Sequence, residues 1–502
     1  MTPTLGGWAV ATGYRADPPA RLQKGTGAYL LVHDGKPRAL RLGMVAGRLL
    51  ESLAHASMLT GEIGLTADPK MGRVLERLAT LGFLRRSLEP IEAELPSVAV
   101  VIPAYGRATM VARCVESVRS QRYPSRLLEI VVVDDASDDC GETAEAACAQ
   151  RARVITLEQN VGPAAAREAG LRASKSELVA FIDTDCVASS DWLLRLVLEL
   201  ADPALCAAAS RVSTEAGTDS ISTFESVRSP LDMGDVFGDL DPRGPRFFIP
   251  TANMVARRAD LEKCGGFTTE LRVGEDVDLC LRLMAAGGRI RYLPEPLVRH
   301  EPPQRARDIA NRRYAYGCSE SFLWGRHPVT RSGIRMSIPR LLGAISIMAA
   351  LRRHSWALAI IAVGVLLMPT ARRAANDRAG ALGRLREPGF VLGRVTSTLT
   401  NLSRYHATTL LIGEAALRRS VPVVAPACIV GSAVCDYSTL HPPVGVATYV
   451  PLHVLEDLAY SSGVTAGALR RMFLLSTADA MRRGLEARTS SAARRVWGRI
   501  AG

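Results

Sequence analysis

The central part of the sequence predicts an α/β fold built on a mostly parallel, Rossmann-like sheet. Short apolar, β-branched runs alternate there with helix-like segments, and the runs are SVAVVIP (97–103), LEIVVVDD (128–135), ARVITL (152–157) and ELVAFIDTD (177–185). This alternation is typical of βαβ units. Ligands of such sheets bind at the carboxyl ends of the strands, where the sequence places Asp134, Asp135, Asp183 and Asp185. A binding site lined by carboxylates is therefore expected at that edge.

The length of 502 residues and an ordinary composition predict a globular chain of several domains. Apolar residues make up 48% and charged residues 22% of the chain, which argues against wholesale disorder or coiled coil. We expect three regions, residues 1–95, 96–303 and 304–502. The 10 cysteines show no zinc-type spacing and the first residues lack a signal-peptide pattern, so a reducing, cytoplasmic location is expected.

Residues 304–502 carry the basic excess of the chain. They contain 27 arginines and no lysine against 10 acidic residues, a net charge of +17, whereas residues 1–303 carry −5. This asymmetry predicts an anionic partner for the region. Its apolar stretches, 341–369 and 421–435, are interrupted by arginine or proline and predict no ordinary spanning helix. Two interpretations stay open: an α-helical apolar region attached to anionic lipid at the inner face of the cell membrane, or a soluble helical subdomain with an arginine-covered surface.

Residues 1–95 predict a small module of strands and helices. Two short strands, AYLLV (28–32) and RALRL (38–42), precede two helices in MVAGRLLESLAH and MGRVLERLATLG, and FLRR returns as a strand. This arrangement resembles the winged-helix, PqqD-like peptide-recognition modules of systems that modify ribosomally made peptides. A generic helical cap on the next domain is the alternative.

Six motifs follow one another in the central region, each at a predicted strand end or helix start. They are Pro103-Ala104-Tyr105, VVVDDASDD (131–139), NVGPAAAREAG (160–170), Asp183-Thr184-Asp185, GGF (265–267) and GEDVDLCLRL (274–283). In this order they resemble the family 2 glycosyltransferases of the GT-A fold. The resemblance covers residues 96–303 and implies a UDP-sugar donor, a separate acceptor and no nucleic acid as a partner.

The charge of such a donor makes a divalent cation necessary. The diphosphate of a nucleotide-sugar is anionic and is repelled by a carboxylate pair, whereas Mg²⁺ or Mn²⁺ bridges the two and neutralises the leaving diphosphate. We therefore expect Asp185 and Asp183 as metal ligands, and the resemblance adds His300. For Arg167 an ordinary exposed helix position, and for His300 a loop position without a role, are the alternatives. The expected nucleotide-sugar contacts are Pro103, Tyr105, Asp135, Asn160, Gly162, Arg167, Asp183 and Thr184.

The acceptor requires a base, because a sugar hydroxyl is a poor nucleophile at neutral pH. GEDVDLCLRL offers Glu275 and Asp276 at a predicted helix N-terminus, where the helix dipole favours ionised carboxylates. In the family that the sequence resembles, the second acid of this pair is the base. Asp276 is therefore the expected base and Glu275 an acceptor contact or metal-site support. The resemblance also places Asn253 on the acceptor side and Trp192 near the sugar, with packing as the alternative for Trp192, and implies inversion at the anomeric carbon.

The order of the three regions resembles the glycosyltransferases of the mycofactocin system. That resemblance implies transfer of glucose from UDP-glucose onto premycofactocin, a peptide-derived redox cofactor precursor, to build a short β-1,4-glucan. The QxxRW motif of processive membrane synthases is missing, and ANRRYAYGCSES (310–321) stands in its place; the candidates in it for an acceptor cleft are Arg312, Arg313, Tyr314 and Tyr316. A cell-wall or lipid-linked glycan transferase at the inner membrane face is the main alternative. An inactive nucleotide-sugar-binding scaffold is the alternative of another class.

Overall fold

A computed structural model of the chain describes residues 95–327 except 140 and 245, residues 388–416 and residues 424–472. Within residues 1–94 it describes the strands and the helix named below, together with residues 74, 75, 78, 83 and 84. The chain divides into two compact units. The first contains Met1–Glu215 and Arg228–Pro302, and the second contains Ala216–Val227 and Pro303–Gly502.

The N-terminal part of the first unit is a six-stranded sheet with one described helix, α1 (Met44–Glu51). Its strands are β1 (Thr4–Leu5), β2 (Trp8–Gly25), β3 (Ala28–His33), β4 (Ala39–Leu42), β5 (Met58–Ile63) and β6 (Arg85–Ile91). All pairs are antiparallel, and β2 pairs with β1, β3, β5 and β6. The sequence pattern predicts β3, β4 and α1 but misses β2, because Pro18-Pro19 interrupts it. The register of β2 on β5 shifts between Ala16 and Ala20, an irregularity that lets a strand contain proline.

The core of this N-terminal part combines β3 with helical residues. Tyr29 and Leu31 of β3 are buried with Leu50 of α1 and with Leu75 and Leu78. Residues 74, 75 and 78 are helical, while most of the second predicted helix lies outside the described residues. The described part contains more strands than the sequence pattern indicates, and the winged-helix, PqqD-like assignment stays a prediction.

Residues 95–302 contain a nine-stranded sheet with a hydrophobic core on each face. Its strands are β7 (Val98–Ala104), β8 (Leu128–Asp134), β9 (Arg153–Thr156), β10 (Leu178–Ile182), β11 (Cys186–Ala188), β12 (Leu205–Thr214), β13 (Gly238–Asp239), β14 (Asn253–Arg257) and β15 (Arg289–His300). Their spatial order is β11-β15-β12-β14-β10-β7-β8-β9, and β13 lies beside β15. The central strands β7 and β10 are buried almost throughout, which explains their continuous apolar sequence.

The sheet is mixed rather than mostly parallel, which corrects the sequence prediction. The four strands β9, β8, β7 and β10 are parallel neighbours, as the alternation of apolar runs predicts. However, β14 lies antiparallel between β10 and β12, and β11 and β13 are antiparallel to β15. A short apolar run such as NMVAR (253–257) contains no signal of strand direction, so its pairing partners decide the direction.

Helices alternate with these strands along the chain, and a glycine precedes two of these helices at the motif residues. The helices are α2 (Ala108–Arg119), α3 (Glu142–Ala149), α4 (Pro163–Ala173), α5 (Trp192–Glu199), α6 (Ser220–Arg228), α7 (Arg258–Lys263) and α8 (Glu275–Ala285), with a 3-10 turn at Ser125–Leu127. Gly162 precedes α4 with φ 97°, and Gly274 precedes α8 with φ 84°. Both values lie in the region that favours glycine, so each motif glycine has a conformational reason.

The described residues of the second unit are helical. They form α9 (Ala306–Arg326), α10 (Pro388–Ala416), α11 (Val424–Leu440) and α12 (446–472), and most of α6 groups with them. Phe224 of α6 packs with Ile309, Val444 and Tyr449. No helix in the described part of the chain is both long enough and apolar enough to cross a membrane. The apolar stretch 341–369 lies outside the described residues.

Arg313 is buried inside the second unit, which corrects its assignment to an acceptor cleft. Its guanidinium donates to Glu456 at 2.6 Å and to Glu225 at 2.8 Å. All three side chains are almost completely buried. A buried arginine held between two carboxylates joins α9 to α12 and α6, so its role is to hold these helices together.

Candidate active site

Asp135 locks the end of β8 to the start of α4. It is buried and follows β8 directly. Its two carboxylate oxygens accept hydrogen bonds from the backbone N–H groups of Val161 and Gly162, each at 2.8 Å. Backbone N–H groups at a helix start lack partners inside the helix, so a carboxylate satisfies them well. Asp135 therefore sets the position of the Asn160-Val161-Gly162 turn.

The loop after β7 carries the predicted aromatic contact. Pro103 is half-buried in β7, where it lies opposite Val133 of β8. Tyr105 is 51% exposed, and its hydroxyl donates to Asp138 at 2.8 Å. This hydrogen bond to the Asp138 carboxylate raises the pKa of Tyr105, because it favours the protonated phenol. An exposed ring held in this way offers a face on which a base can stack.

A buried arginine joins two of the acidic motifs. Arg167 of α4 is 3% exposed, and its guanidinium donates to Glu275 Oε1 at 2.7 Å and to Asp183 Oδ1 at 2.5 Å. Because Asp183 follows β10 and Glu275 begins α8, one side chain ties three separate segments together. Burial opposes the charge of Arg167, but the two carboxylates raise the pKa of its guanidinium above the usual range. The alternative of an exposed helix arginine is wrong.

The acidic pair at the start of α8 has raised pKa values. Burial raises the pKa of Asp276 to about 7, and the negative charge of Glu275 adds to this shift. Arg167 and the N–H of Val277, which donates to Asp276 at 2.8 Å, act in the opposite direction. Burial also raises the pKa of Glu275, against the charge of Arg167. A carboxyl group that titrates near neutral pH is well matched to accepting a proton at that pH.

Asp185 and His300 lie side by side at the paired ends of β11 and β15. His300 is buried at the end of β15, opposite Cys186, so it is a strand residue rather than a loop residue. Its Nε2 lies 3.4 Å from Oδ2 of Asp185. Its Nδ1 is buried and has no hydrogen-bond partner among the described residues. The guanidinium of Arg107 lies 3.9 Å from the same oxygen of Asp185.

This donor set fits a cation that is shared with a substrate. Among the described parts of the chain, no three His, Cys, Asp or Glu side chains are arranged to hold a metal by themselves. Asp185 and His300 offer one oxygen donor and one nitrogen donor, whereas Asp183 already gives one oxygen to Arg167. Thr184 lies between the two aspartates, partly exposed. Mg²⁺ is commonly held by one or two carboxylates together with substrate phosphates, so a small protein donor set suffices.

The GGF motif positions the loop before α8. Glu168 of α4 is buried and accepts a hydrogen bond from the backbone N–H of Phe267 at 2.9 Å. Gly266 has φ 66°, and a Cβ there would lie 2.2 Å from the Glu168 carboxylate. Further along, the buried Asp278 accepts a hydrogen bond from Thr268 at 2.7 Å. These contacts hold in place the segment from which the acidic pair projects.

Trp192 and Asn253 lie inside the protein, which corrects their assignment to the sugar-binding surface. Both are completely buried. The indole N–H of Trp192 donates to Oδ1 of Asn253 at 2.6 Å, and Nδ2 of Asn253 donates to the carbonyl and hydroxyl of Ser210 at 2.6 and 2.7 Å. Every polar atom of the two side chains is thus engaged within the protein, and they join α5, β14 and β12. The packing alternative for Trp192 is the one observed.

Two arginines near the site are not among the residues that the sequence predicts. Arg272, in the loop before α8, donates to the carbonyl of Asn160 at 2.9 Å and covers Gly162 with its stem. Arg107 has φ 62° and directly precedes α2, and its guanidinium lies near Asp185. Arginine is abundant throughout the chain, so a single arginine in a loop carries no sequence signal. Only the structure shows that Arg272 contacts Asn160 and that Arg107 lies near Asp185.

These motifs and this mixed sheet define a glycosyltransferase with a GT-A-like fold. The sequence model described as glycosyl transferase family 2 matches residues 99–265, which contain β7 except its first residue, the strands β8 to β14 and the Asp183-Thr184-Asp185 turn. Pre-mycofactocin glycosyltransferase from Mycobacterium tuberculosis is 32% identical over 450 residues, which cover 86% of this chain and 92% of that protein. The chain belongs to glycosyl transferase family 2, and within it to the family of the pre-mycofactocin glycosyltransferase. The prediction of an enzyme of this family is therefore confirmed.

Other similar proteins match smaller parts of the chain. Glycosyltransferase AglE from Haloferax volcanii is 25% identical over 238 residues, which cover 46% of this chain and 75% of that protein. A solved structure, a mannosyltransferase from Pyrobaculum calidifontis in complex with GDP-Man and Mn²⁺, is 20% identical with a TM-score of 0.37. It covers 61% of this chain and 88% of that one. A glycosyltransferase requires a nucleotide-sugar donor and an acceptor, and both belong to the function of this enzyme.

Replacing Arg167 with glutamine tests the central ion pair. Arg167→Gln leaves Asp183 and the buried Glu275 without their shared cation, and removing one partner of a buried pair costs about 3–5 kcal/mol. Because Asp183 is partly exposed, we expect the lower part of that range and a midpoint of thermal unfolding lowered by roughly 4–8 °C. The matched control is Arg172→Gln, which removes an exposed arginine from the same helix and its pair with Glu168. Equal effects of the two changes, measured by thermal unfolding, would contradict the assigned role.

Proposed function

We propose that this enzyme transfers glucose from UDP-glucose onto premycofactocin and builds a short β-1,4-glucan on it. The proposal is supported by 32% identity to pre-mycofactocin glycosyltransferase over nearly the whole length of both chains. The observation that carries its chemistry is the single arginine that holds Asp183 and Glu275 together. Through this contact the candidate base Asp276, the neighbour of Glu275, is brought to the Asp183-Thr184-Asp185 turn.

The reaction is a single displacement at the anomeric carbon. The acceptor hydroxyl oxygen forms a bond to that carbon as the bond from carbon to the diphosphate oxygen breaks, and the electron pair leaves with UDP. The hydroxyl proton passes to the carboxylate of Asp276, whose pKa of about 7 leaves it partly ionised at neutral pH. Attack opposite the leaving group inverts the anomeric configuration, so an α-linked donor gives a β-linked product.

The remaining predicted residues hold the donor. Tyr105 offers a stacking face for the base, and Asp135 fixes the turn whose glycine lets the backbone approach the nucleotide. Asp185 and His300, with Asp183 beside them, would hold a divalent cation. Such a cation neutralises charge on the departing diphosphate. Arg107 lies near Asp185, Arg272 contacts Asn160, and the positive charge of each arginine favours an anionic ligand.

A product analysis with alternative acceptors tests the proposed substrates. We expect purified enzyme with UDP-glucose and premycofactocin to give products heavier by successive hexose units in mass spectrometry. Hexose additions on a polyprenyl-phosphate acceptor and none on premycofactocin would instead identify a lipid-linked glycan transferase. No transfer to either acceptor, together with intact UDP binding, would favour a nucleotide-sugar-binding scaffold.

The change Asp276→Asn tests the assignment of the base. An amide cannot accept the proton, so we expect turnover to fall by about 10²–10⁴-fold while UDP binding stays near that of the wild type. In the wild type, kcat/KM should fall as the pH drops below about 7, because protonation removes the base. The matched control is Glu270→Gln, an exposed acid six residues earlier. Turnover of Asp276→Asn close to that of the wild type would show that another group accepts the proton.

The change Asp185→Ala tests the proposed cation site. Loss of the carboxylate removes an oxygen donor beside His300, so UDP should bind more weakly in the presence of Mg²⁺ or Mn²⁺. Without metal, UDP affinity of the variant and of the wild type should be similar. Asp191→Ala is the control, because this nearby aspartate is exposed and pairs with Arg122. Isothermal titration with and without metal measures the difference, and an unchanged metal dependence would count against Asp185 as a ligand.

A further inference from the structure

The side chain of Arg107 approaches Asp185 but is held only loosely. Its Nη1 lies 3.9 Å from Oδ2 of Asp185, a distance too long for a hydrogen bond. The same Nη1 lies 3.9 Å from the sulfur of Met110, which is a weak acceptor. The Arg107 side chain is 61% exposed, and exposed pairs of this kind contribute little to stability. Arg107 can therefore change its partner at a small cost in free energy.

The arginine beside the neighbouring aspartate is held in the opposite way. Arg167 is buried and donates to Asp183 and to Glu275 at 2.5 and 2.7 Å. Breaking these hydrogen bonds leaves a buried carboxylate without its partner, which is costly. Arg107 takes no part in this buried salt bridge, so a movement of its side chain leaves the salt bridge intact.

A divalent cation at Asp185 competes with Arg107 for the same oxygen. Oδ2 of Asp185 also lies 3.4 Å from Nε2 of His300, and these two side chains are the main donors of the cation site proposed above. A cation bound by this oxygen takes up the atom that Arg107 approaches, and like charges at such short range repel each other. Because Arg107 is exposed and loosely held, its guanidinium is the group that moves away.

The backbone at Arg107 is fixed, so only the side chain changes its partner. Directly before it, the N–H of Gly106 donates to Oγ of Ser137 at 2.7 Å. The carbonyl of Arg107 accepts hydrogen bonds from the N–H groups of Met110 and Val111, in the first turn of α2, at 2.8 and 3.1 Å. The displaced guanidinium therefore stays close to the cation site.

The donor itself supplies the new partner of Arg107. A divalent cation in a site of this kind is shared with the phosphates of the substrate, so the bound diphosphate lies next to Asp185. A guanidinium suits this group, because its planar set of N–H donors matches phosphate oxygens in pairs. We propose that Arg107 binds the diphosphate of the nucleotide-sugar donor after a divalent cation has displaced it from Asp185. This inference rests on the cation site of the proposed function and does not depend on the acceptor.

Separate measurements of cation binding and of nucleotide binding by the full-length protein test this exchange. In Arg107→Gln the competing charge is gone, so Mn²⁺ alone should bind about two- to fivefold more tightly, as measured by electron paramagnetic resonance of free Mn²⁺. With Mn²⁺ present, UDP should bind to the same variant at least about tenfold more weakly in isothermal titration, because a charge-assisted hydrogen bond is lost. A merely structural role of Arg107 does not predict opposite changes in the two affinities.

Three comparisons isolate the phosphate contact. Uridine has no phosphate, so its binding, followed by ligand-observed NMR, should be equal for Arg107→Gln and the wild type. Arg107→Lys keeps the positive charge at the same backbone position and should recover much of the UDP affinity. Arg243→Gln removes an exposed arginine elsewhere in the first unit and should change neither affinity.

The remaining outcomes would overturn the proposal. These are an unchanged UDP affinity of Arg107→Gln, or Mn²⁺ binding that is no tighter than in the wild type. An equal loss of uridine and UDP binding would show that the change disturbs the loop after β7 instead of a phosphate contact. The same metal dependence of UDP binding in Asp185→Ala and in the wild type would remove the cation site and this inference with it. Metal dependence that is lost in Asp185→Ala, together with unchanged UDP binding by Arg107→Gln, would confine the failure to Arg107.

Discussion

The salt bridge of Arg167 with Asp183 and Glu275 is the interaction on which the arrangement of this site depends. Three acidic side chains, Asp183, Glu275 and Asp276, come together in a largely buried place, where like charges repel strongly. One buried guanidinium, donating to two of the three acids, offsets much of that repulsion. Since the partners lie on α4, at the end of β10 and at the start of α8, the same contact also sets the spacing of the elements that carry the chemistry.

The positive charge of Arg167 acts unequally on Glu275 and Asp276, so the two carboxyl groups have different properties. Glu275 accepts a hydrogen bond from Arg167, whereas Asp276 accepts one from the backbone N–H of Val277. The negative charge of Glu275 also disfavours ionisation of Asp276. Burial then raises the pKa of Asp276 to about 7. Two adjacent acids at one helix start are thus suited to different work, one to holding the structure of the site and one to exchanging a proton. The hydrogen bonds of Glu168 with Phe267 and of Asp278 with Thr268 hold the segment before α8 and so stabilise this arrangement.

Short sequence patterns predict those strands and turns whose conformation depends on neighbouring residues in the chain. The four apolar runs are the parallel strands β7 to β10, and the motif glycines Gly162 and Gly274 are the positive-φ residues that precede α4 and α8. The antiparallel direction of β14 is not predictable in this way, because an apolar run of this kind is compatible with parallel and with antiparallel pairing. The same limit applies to side chains. Asn253 and Trp192 are residue types that bind sugars well, yet in the fold they satisfy each other and Ser210 in the core.

The sequence alone therefore determined the family, the order of the motifs and the residue types that the chemistry requires, since these depend on composition, short-range spacing and resemblance. The tertiary structure decided which of those residues meet. It brought Arg167 to Glu275 across 108 residues, His300 to Asp185 on neighbouring strands, and Arg313 to a buried position between two glutamates. Contacts between residues distant in the chain depend on the packing of the whole fold, and a linear sequence shows only the side chains available for that packing.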